Sequence, residues 1–286
     1  MTMKNFWFNY QNILRREILK KNYFSFLRKI LGCLYKFVIR FFRHKFSINC
    51  INLDKIDNKE LSKLNLDDLF TNFNSDKGSY FFYDKAKINS HNYSIFYEKY
   101  LKDLKEKKIN LMELGSHEGR GLASFYFYFP NAKIIGANIN PFQMKYQSSR
   151  ITELFVDVSS KEILMSLSNH LADELDIIID DASHNLRDII ITLSIFFKKL
   201  KKGGVYIIED FDQFKVFKEL NPHENELTPL EILKSIQRNE DFESSFIDEE
   251  SKKYLINNIN NIKIEKGSMI MKEKNISDIA FIFKNN

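Results

Sequence analysis

The chain predicts an α/β fold: a Rossmann-like, doubly wound, mostly parallel seven-stranded sheet with a C-terminal antiparallel hairpin, plus an N-terminal helical extension. Three observations lead there. Short apolar runs, several ending on acids, recur at residues 109–115, 133–138, 153–157, 176–180 and 204–208. Helical patterns at 121–129, 161–170 and 186–200 separate them, and strands alternating with helices at this rhythm pair in parallel. Two last strand patterns, 262–272 and 278–283, have no helix between them, so they should pair as an antiparallel hairpin at one sheet edge.

Taken in order, residues 23–46 read as one helix. Leu27, Ile30, Leu31, Leu34, Val38, Phe41 and Phe42 recur at steps of three and four, while Lys29, Lys36, Arg40 and Arg43 mark the opposite face. Basic amphipathic helices of this type lie in a membrane interface and favour anionic lipid. The same pattern also suits packing on the chain's own domain or on a second copy of it, a homo-oligomer. Residues 51–70 look like a linker carrying a helix (Leu61, Leu64, Leu66, Leu69), which divides the chain into an extension, 1–70, and a main domain, 71–286. The turn-rich loop Asn74-Ser75-Asp76-Lys77-Gly78-Ser79 and the helix through Phe96, Tyr97 and Leu101 read, on their own residues, as loop and surface.

The main domain opens on Ile109–Gly115, a strand ending in Glu113 and a glycine. Ser116-His117-Glu118-Gly119-Arg120-Gly121 then starts a helix. Glycines there let the backbone approach a ligand at the helix N-terminus. The spacing GxxxGxG departs from the GxGxxG dinucleotide fingerprint. After the helical stretch 229–237, Gly267 marks an irregularity in the first hairpin strand.

With 286 residues, 44% hydrophobic and 28% charged, the composition is that of one large globular domain with an appendage. Cys33 and Cys50 make neither a disulfide framework nor a paired metal motif and fit a reducing cytoplasm. No run of 18 or so apolar residues spans a membrane, and no secretory signal is apparent at the N-terminus. The net charge of +5 is uneven, since residues 1–50 hold eleven Lys and Arg against Glu17 alone. The body is therefore mildly acidic. A nucleic-acid surface would place its basic residues around the cleft, so no nucleic-acid partner is expected. The expected location is the cytoplasm, peripheral at the inner face of the membrane.

The stretch Asp176-Ile177-Ile178-Ile179-Asp180-Asp181-Ala182-Ser183-His184 carries the chemistry. Ligands of open α/β sheets collect outside the carboxyl ends of the strands, where Asp180, Asp181 and His184 should emerge. The run Gly204–Ile208 ends similarly on Glu209-Asp210. If the two strands are neighbours, four carboxylates converge beside an imidazole. That costs several kcal/mol unless a cation or protons intervene, and a divalent metal answers it. Asp180 also suits capping the helix after Asn185 or orienting the metal ligands.

Together ELGSHEGRG, the strand tail VD, IIIDDASH and GGVYIIEDF resemble the class I S-adenosylmethionine (SAM) methyltransferases. Within that class they resemble the metal-dependent sugar O-methyltransferases of the macrocin and mycinose type. SDKGS and HNYSIFYEKY match that group's upstream segment, so the resemblance covers roughly residues 72–212. It implies SAM and Mg²⁺ as cofactors and a sugar or glycan as acceptor. It places magnesium on Asp181, Glu209 and Asp210, makes His184 the general base, and sets Glu113, Gly115, Ser116, Asn138, Asp157 and Asp180 around SAM. Asn138 stands where the family has an acid for the ribose hydroxyls, and an amide loses charge-assisted strength there. The expected activity is O-methylation of a sugar hydroxyl, on a surface polysaccharide or glycolipid precursor. Two other readings share these motifs: a hydroxylase-like relative of the cephalosporin hydroxylase group, and a non-catalytic, membrane-attached scaffold.

Overall fold

The structure is a computed structural model that describes residues 2–30, 32, 50–223 and 225–286. Its centre is a seven-stranded sheet of β1 (Asn110–Leu114), β2 (Lys133–Asn138), β3 (Ile151–Phe155), β4 (Leu175–Asp180), β5 (Leu200–Glu209), β6 (Ile259–Lys266) and β7 (Asp278–Lys284). Across the sheet the order is β6-β7-β5-β4-β1-β2-β3. The five strands from β3 to β5 run parallel, and β7 is antiparallel to both β5 and β6. This is the predicted doubly wound sheet with its terminal hairpin.

Side chains of period two build a core on each face. Met112, Ile178, Tyr206, Ile208 and Ile282 point to one side, against helices α5 (Lys161–His170), α6 (Leu186–Phe196), α7 (Pro229–Gln237) and α8 (Glu249–Asn258). Leu111, Ile177, Ile179, Ile207 and Phe281 point to the other, against α2 (Leu66–Asn72), α3 (Ser94–Leu101) and α4 (Arg120–Tyr128). Being covered on both faces, β4 reads as a continuous apolar run.

Three elements differ from expectation for local reasons. The helix starting at Leu186 stops at Phe196, a 3₁₀ turn follows, and β5 begins at Leu200, ahead of the glycine pair. Helix α8 was not foreseen: Asp248 caps it, but only Leu255 among its large apolar residues is buried, so no stripe is visible. Strand β6 ends at Lys266, and the chain turns at Gly267, where a Cβ would lie 2.0 Å from the His91 carbonyl oxygen. The bulge of the hairpin falls instead between Ile259 and Asn261.

Helix α1 (Met3–Leu19) covers the β3 edge. The Asn9 amide donates to the Glu153 carbonyl (3.1 Å) and accepts from Phe155 N–H (2.7 Å), filling the ladder position of a missing strand. Residues 23–30 are helical, with Phe24, Tyr23 and Leu27 exposed. Of the amphipathic pattern at 23–46, residue 31 and residues 33–46, with Lys36, Arg40 and Arg43, lie outside the described residues.

Candidate active site

Strands β1, β4 and β5 are adjacent, and their carboxyl ends deliver Glu113, Asp180 and Asp181, and Glu209 and Asp210 to one place. The tip of β4 is pressed onto the glycine loop. Asp181 N–H donates to the Leu114 carbonyl (2.9 Å), and Gly115 holds φ at +90°. His117, His184 and Asp210 also adopt left-handed φ (44°, 52° and 54°), a costly conformation for residues with a Cβ that clusters at functional sites.

The acids have a partner that sequence reasoning passed over. The Lys77 ammonium, 4% exposed, lies 2.5 Å from Asp181 Oδ2, 2.6 Å from Glu209 Oε2 and 3.3 Å from Glu113 Oε1. Burial works against its charge, but the three carboxylates hold its pKa well above the ordinary lysine value. Burial pushes Glu113 and Glu209 upward. The other oxygen of Glu209 accepts from the Tyr97 hydroxyl. Asp210 Oδ1 accepts from Tyr93 Oη at 2.5 Å and lies 3.1 Å from His91 Nδ1, which also contacts Ser277 Oγ. For His91, burial is outweighed by Asp210 and its pKa rises. The upstream loop and helix, read as surface from their own residues, thus supply Lys77, His91, Tyr93 and Tyr97. The four-residue spacing of Tyr93 and Tyr97 was the available signal, because it puts both hydroxyls on one helix face.

Asp181, His184 and Asp210 each offer one ligand atom within 4.8 Å of the others, and His184 Nε2 is 3.7 Å from Asp181 Oδ1. Glu209 lies outside that trio, joined to Asp181 through the Lys77 ammonium. Hard carboxylate oxygens beside an imidazole, in a cluster where Lys77 offsets one negative charge among several, suit Mg²⁺.

A cleft of about 710 Å³ runs along these tips, lined by Lys77, Glu113, Gly115, Ser116, Asn138 and Asp181 among others. A second lobe of about 340 Å³ shares Gly115, Asn138 and Ala182 and adds Ile139, Val156, Asp157, Val158 and Lys20. The apolar lobe suits an adenine and the polar one an amino-acid moiety. Glu113 Oε2 and Ser116 Oγ are buried there without a hydrogen-bond partner, an incomplete state that a ligand would relieve. These residues fit SAM. The Asn138 amide is spent locally, donating to the His117 carbonyl and accepting from Ile139 N–H. Asp157 accepts from Ser159 and, at 3.0 Å, from Lys20 at the end of α1. Burial raises its pKa and these partners lower it further, so it stays below the usual value. Asp180 is on neither wall. It is 4% exposed and accepts from Tyr206 Oη beneath the site, and burial lifts its pKa to about 7.

No family model matches the chain. The chain is 25% identical over 131 residues to the 8-demethyl-8-alpha-L-rhamnosyl tetracenomycin-C 2'-O-methyltransferase of Streptomyces olivaceus, covering 43% of this chain and 34% of that protein. It is 26% identical over 127 residues to the mycinamicin VI 2''-O-methyltransferase of Micromonospora griseorubida, covering 42% and 31%. Among solved structures it is similar to the MycE methyltransferase of the mycinamycin pathway in complex with Mg, SAH and mycinamycin VI. The TM-score is 0.58 and the identity 21%, over 78% of this chain and 55% of that one. The chain therefore spans about a third of the length of these curated relatives and about half of that structure. The fold is that of the methyltransferase, and the resemblance read from the motifs returns in the sequence comparison.

Proposed function

We propose that the chain transfers a methyl group from SAM to a sugar hydroxyl, with a divalent ion, Mg²⁺ first, at the strand tips. The observation that carries this reading is the meeting of Asp181, His184 and Asp210 at the edge of a cleft that Asp181 shares with Gly115 and Ser116. SAM bound along the cleft would supply an already activated methyl. The ion would supply Lewis acidity that makes an alkoxide affordable near neutral pH.

The chain's own residues do the rest. Glu113 and Ser116 bind the polar end of the donor, and Ile139, Val156 and Val158 cover its base. Asp181 and Asp210 would hold the ion, and the acceptor oxygen approaches on the side of His184. The imidazole takes the hydroxyl proton at Nε2, and Asp181, 3.7 Å away, stabilises the imidazolium that forms. His91, Tyr93 and Tyr97 fix the Glu209-Asp210 pair from behind.

Labelled SAM, a panel of methyl glycosides and purified protein test the reading. Product should form with Mg²⁺ and disappear with chelator, and His184→Ala should fall by roughly 10²- to 10⁴-fold. Turnover indifferent to chelator would remove the metal from the mechanism.

For the acceptor we propose a membrane-borne glycan precursor, such as a polysaccharide or glycolipid intermediate. Two features support this: the basic excess of residues 1–50 and the exposed side chains of Phe24 (81%), Tyr23 (64%) and Leu27 (59%). Among the described residues no helix is long and apolar enough to cross a membrane, and the contact proposed is a peripheral one. Anionic phosphatidylglycerol vesicles should sediment the protein, and Phe24→Asp with Leu27→Asp should leave it in the supernatant. Equal sedimentation of parent and variant would refute the contact.

A further inference from the structure

We infer that Lys77 is a resident counter-ion of the metal site, bound together with the divalent ion and not in exchange for it. The inference rests on the metal reading above and concerns how that site is built. Lys77 reaches Asp181 through Oδ2, whereas Oδ1 of the same carboxylate faces His184. The Asp181 carboxylate thus has the ammonium on one side and His184, with Asp210 close by, on the other. The ammonium also holds Glu209 and Glu113, buried acids that lie outside the trio. Lys77 is one ammonium against three carboxyls, and Glu113 keeps one oxygen buried without a hydrogen-bond partner.

The main chain around Lys77 is fixed as firmly as its side chain. Its carbonyl accepts from Tyr93 and Ser94 N–H, and Gly78 accepts from Asn92. Asp67 holds Ser79 through both its N–H and its hydroxyl. Tyr93 itself binds Asp210. A loop tied to α2 and to the start of α3, whose Tyr93 reaches the β5 tip, has little freedom to withdraw its lysine when an ion arrives. Lys77 therefore orients Asp181 and lowers the field that the ion meets, making ion binding weaker and reversible. It acts through Asp181 and Glu209, as a positioning residue.

Two measurements test this. In the parent protein, acetylation of amines read by mass spectrometry should find Lys77 protected both without Mg²⁺ and at saturating Mg²⁺. Labelling of Lys77 on Mg²⁺ addition would show displacement and overturn co-residence. In Lys77→Met, titration with Mn²⁺ by electron paramagnetic resonance should show binding tighter by roughly tenfold or more, because a positive charge one carboxylate away has gone. Unchanged or weaker Mn²⁺ affinity would overturn the counter-ion role. If Lys77→Met does not fold, the labelling of the parent still decides. A parent that binds neither Mg²⁺ nor Mn²⁺ would overturn the metal reading itself, an outcome distinct from either failure of Lys77.

Discussion

Asp181→Asn should cut methyl transfer by on the order of 10³-fold while leaving S-adenosylhomocysteine binding near the parent level. The substitution keeps shape and removes the charge that Lys77, His184 and the ion position share. Loss of several kcal/mol of Lewis-acid stabilisation corresponds to a factor of that size. The variant should still fold, since Lys77 retains Glu209 and Glu113 and the Asp181 N–H bond to Leu114 belongs to the backbone. The cofactor contacts assigned to Glu113, Ser116 and Asp157 are untouched. Single-turnover rates and calorimetry with S-adenosylhomocysteine separate the two effects. Near-parent turnover would mean that the acid cluster has no part in the chemistry, whatever its resemblance.

The sheet was legible because its central strands carry apolar runs, such as Leu111-Met112 in β1 and Ile177-Ile178-Ile179 in β4, that end on polar residues. The strand tips were legible because Asp180-Asp181 and Glu209-Asp210 interrupt such runs abruptly. Adjacency of β4 and β5 was only a condition of the sequence reading, and the structure meets it, with Asp180 beside Ile208. What escaped was supplied from a distance in the chain. Lys77 is 104 residues from Asp181, and Tyr93 is 117 from Asp210, so no local pattern links them. A lysine in a turn-rich loop reads as solvated, and only three-dimensional placement shows it buried among acids. Lys20 is a like case, since α1 brings it to Asp157 across 137 residues. The α8 helix escaped for a different reason: its apolar residues Tyr254, Leu255 and Ile256 are consecutive and only Leu255 is fully buried, so no helical period registers.

Gly115→Ala should destabilise the fold by about 3 kcal/mol or more and abolish S-adenosylhomocysteine binding in whatever remains folded. A side chain at φ +90° carries a backbone penalty of roughly 1–2 kcal/mol. The larger cost is contact. The added Cβ would sit 1.9 Å from the Asp181 carbonyl oxygen and 2.5 Å from its carbon. Relief requires moving the β4 tip off β1, which breaks the Asp181 N–H bond to Leu114, or widening the helix-opening loop, which displaces Ser116. Overpacking of this type costs roughly 1–3 kcal/mol where neighbours can yield, and here the neighbour is main chain held by the sheet. Urea unfolding of parent and variant measures the difference. The same close approach that excludes a methyl group sets Asp181 at the border of the donor cleft. A variant as stable as the parent within about 1 kcal/mol would therefore show that strand tip and glycine loop are not in contact, and the proposed place of Asp181 beside the donor would lose its support.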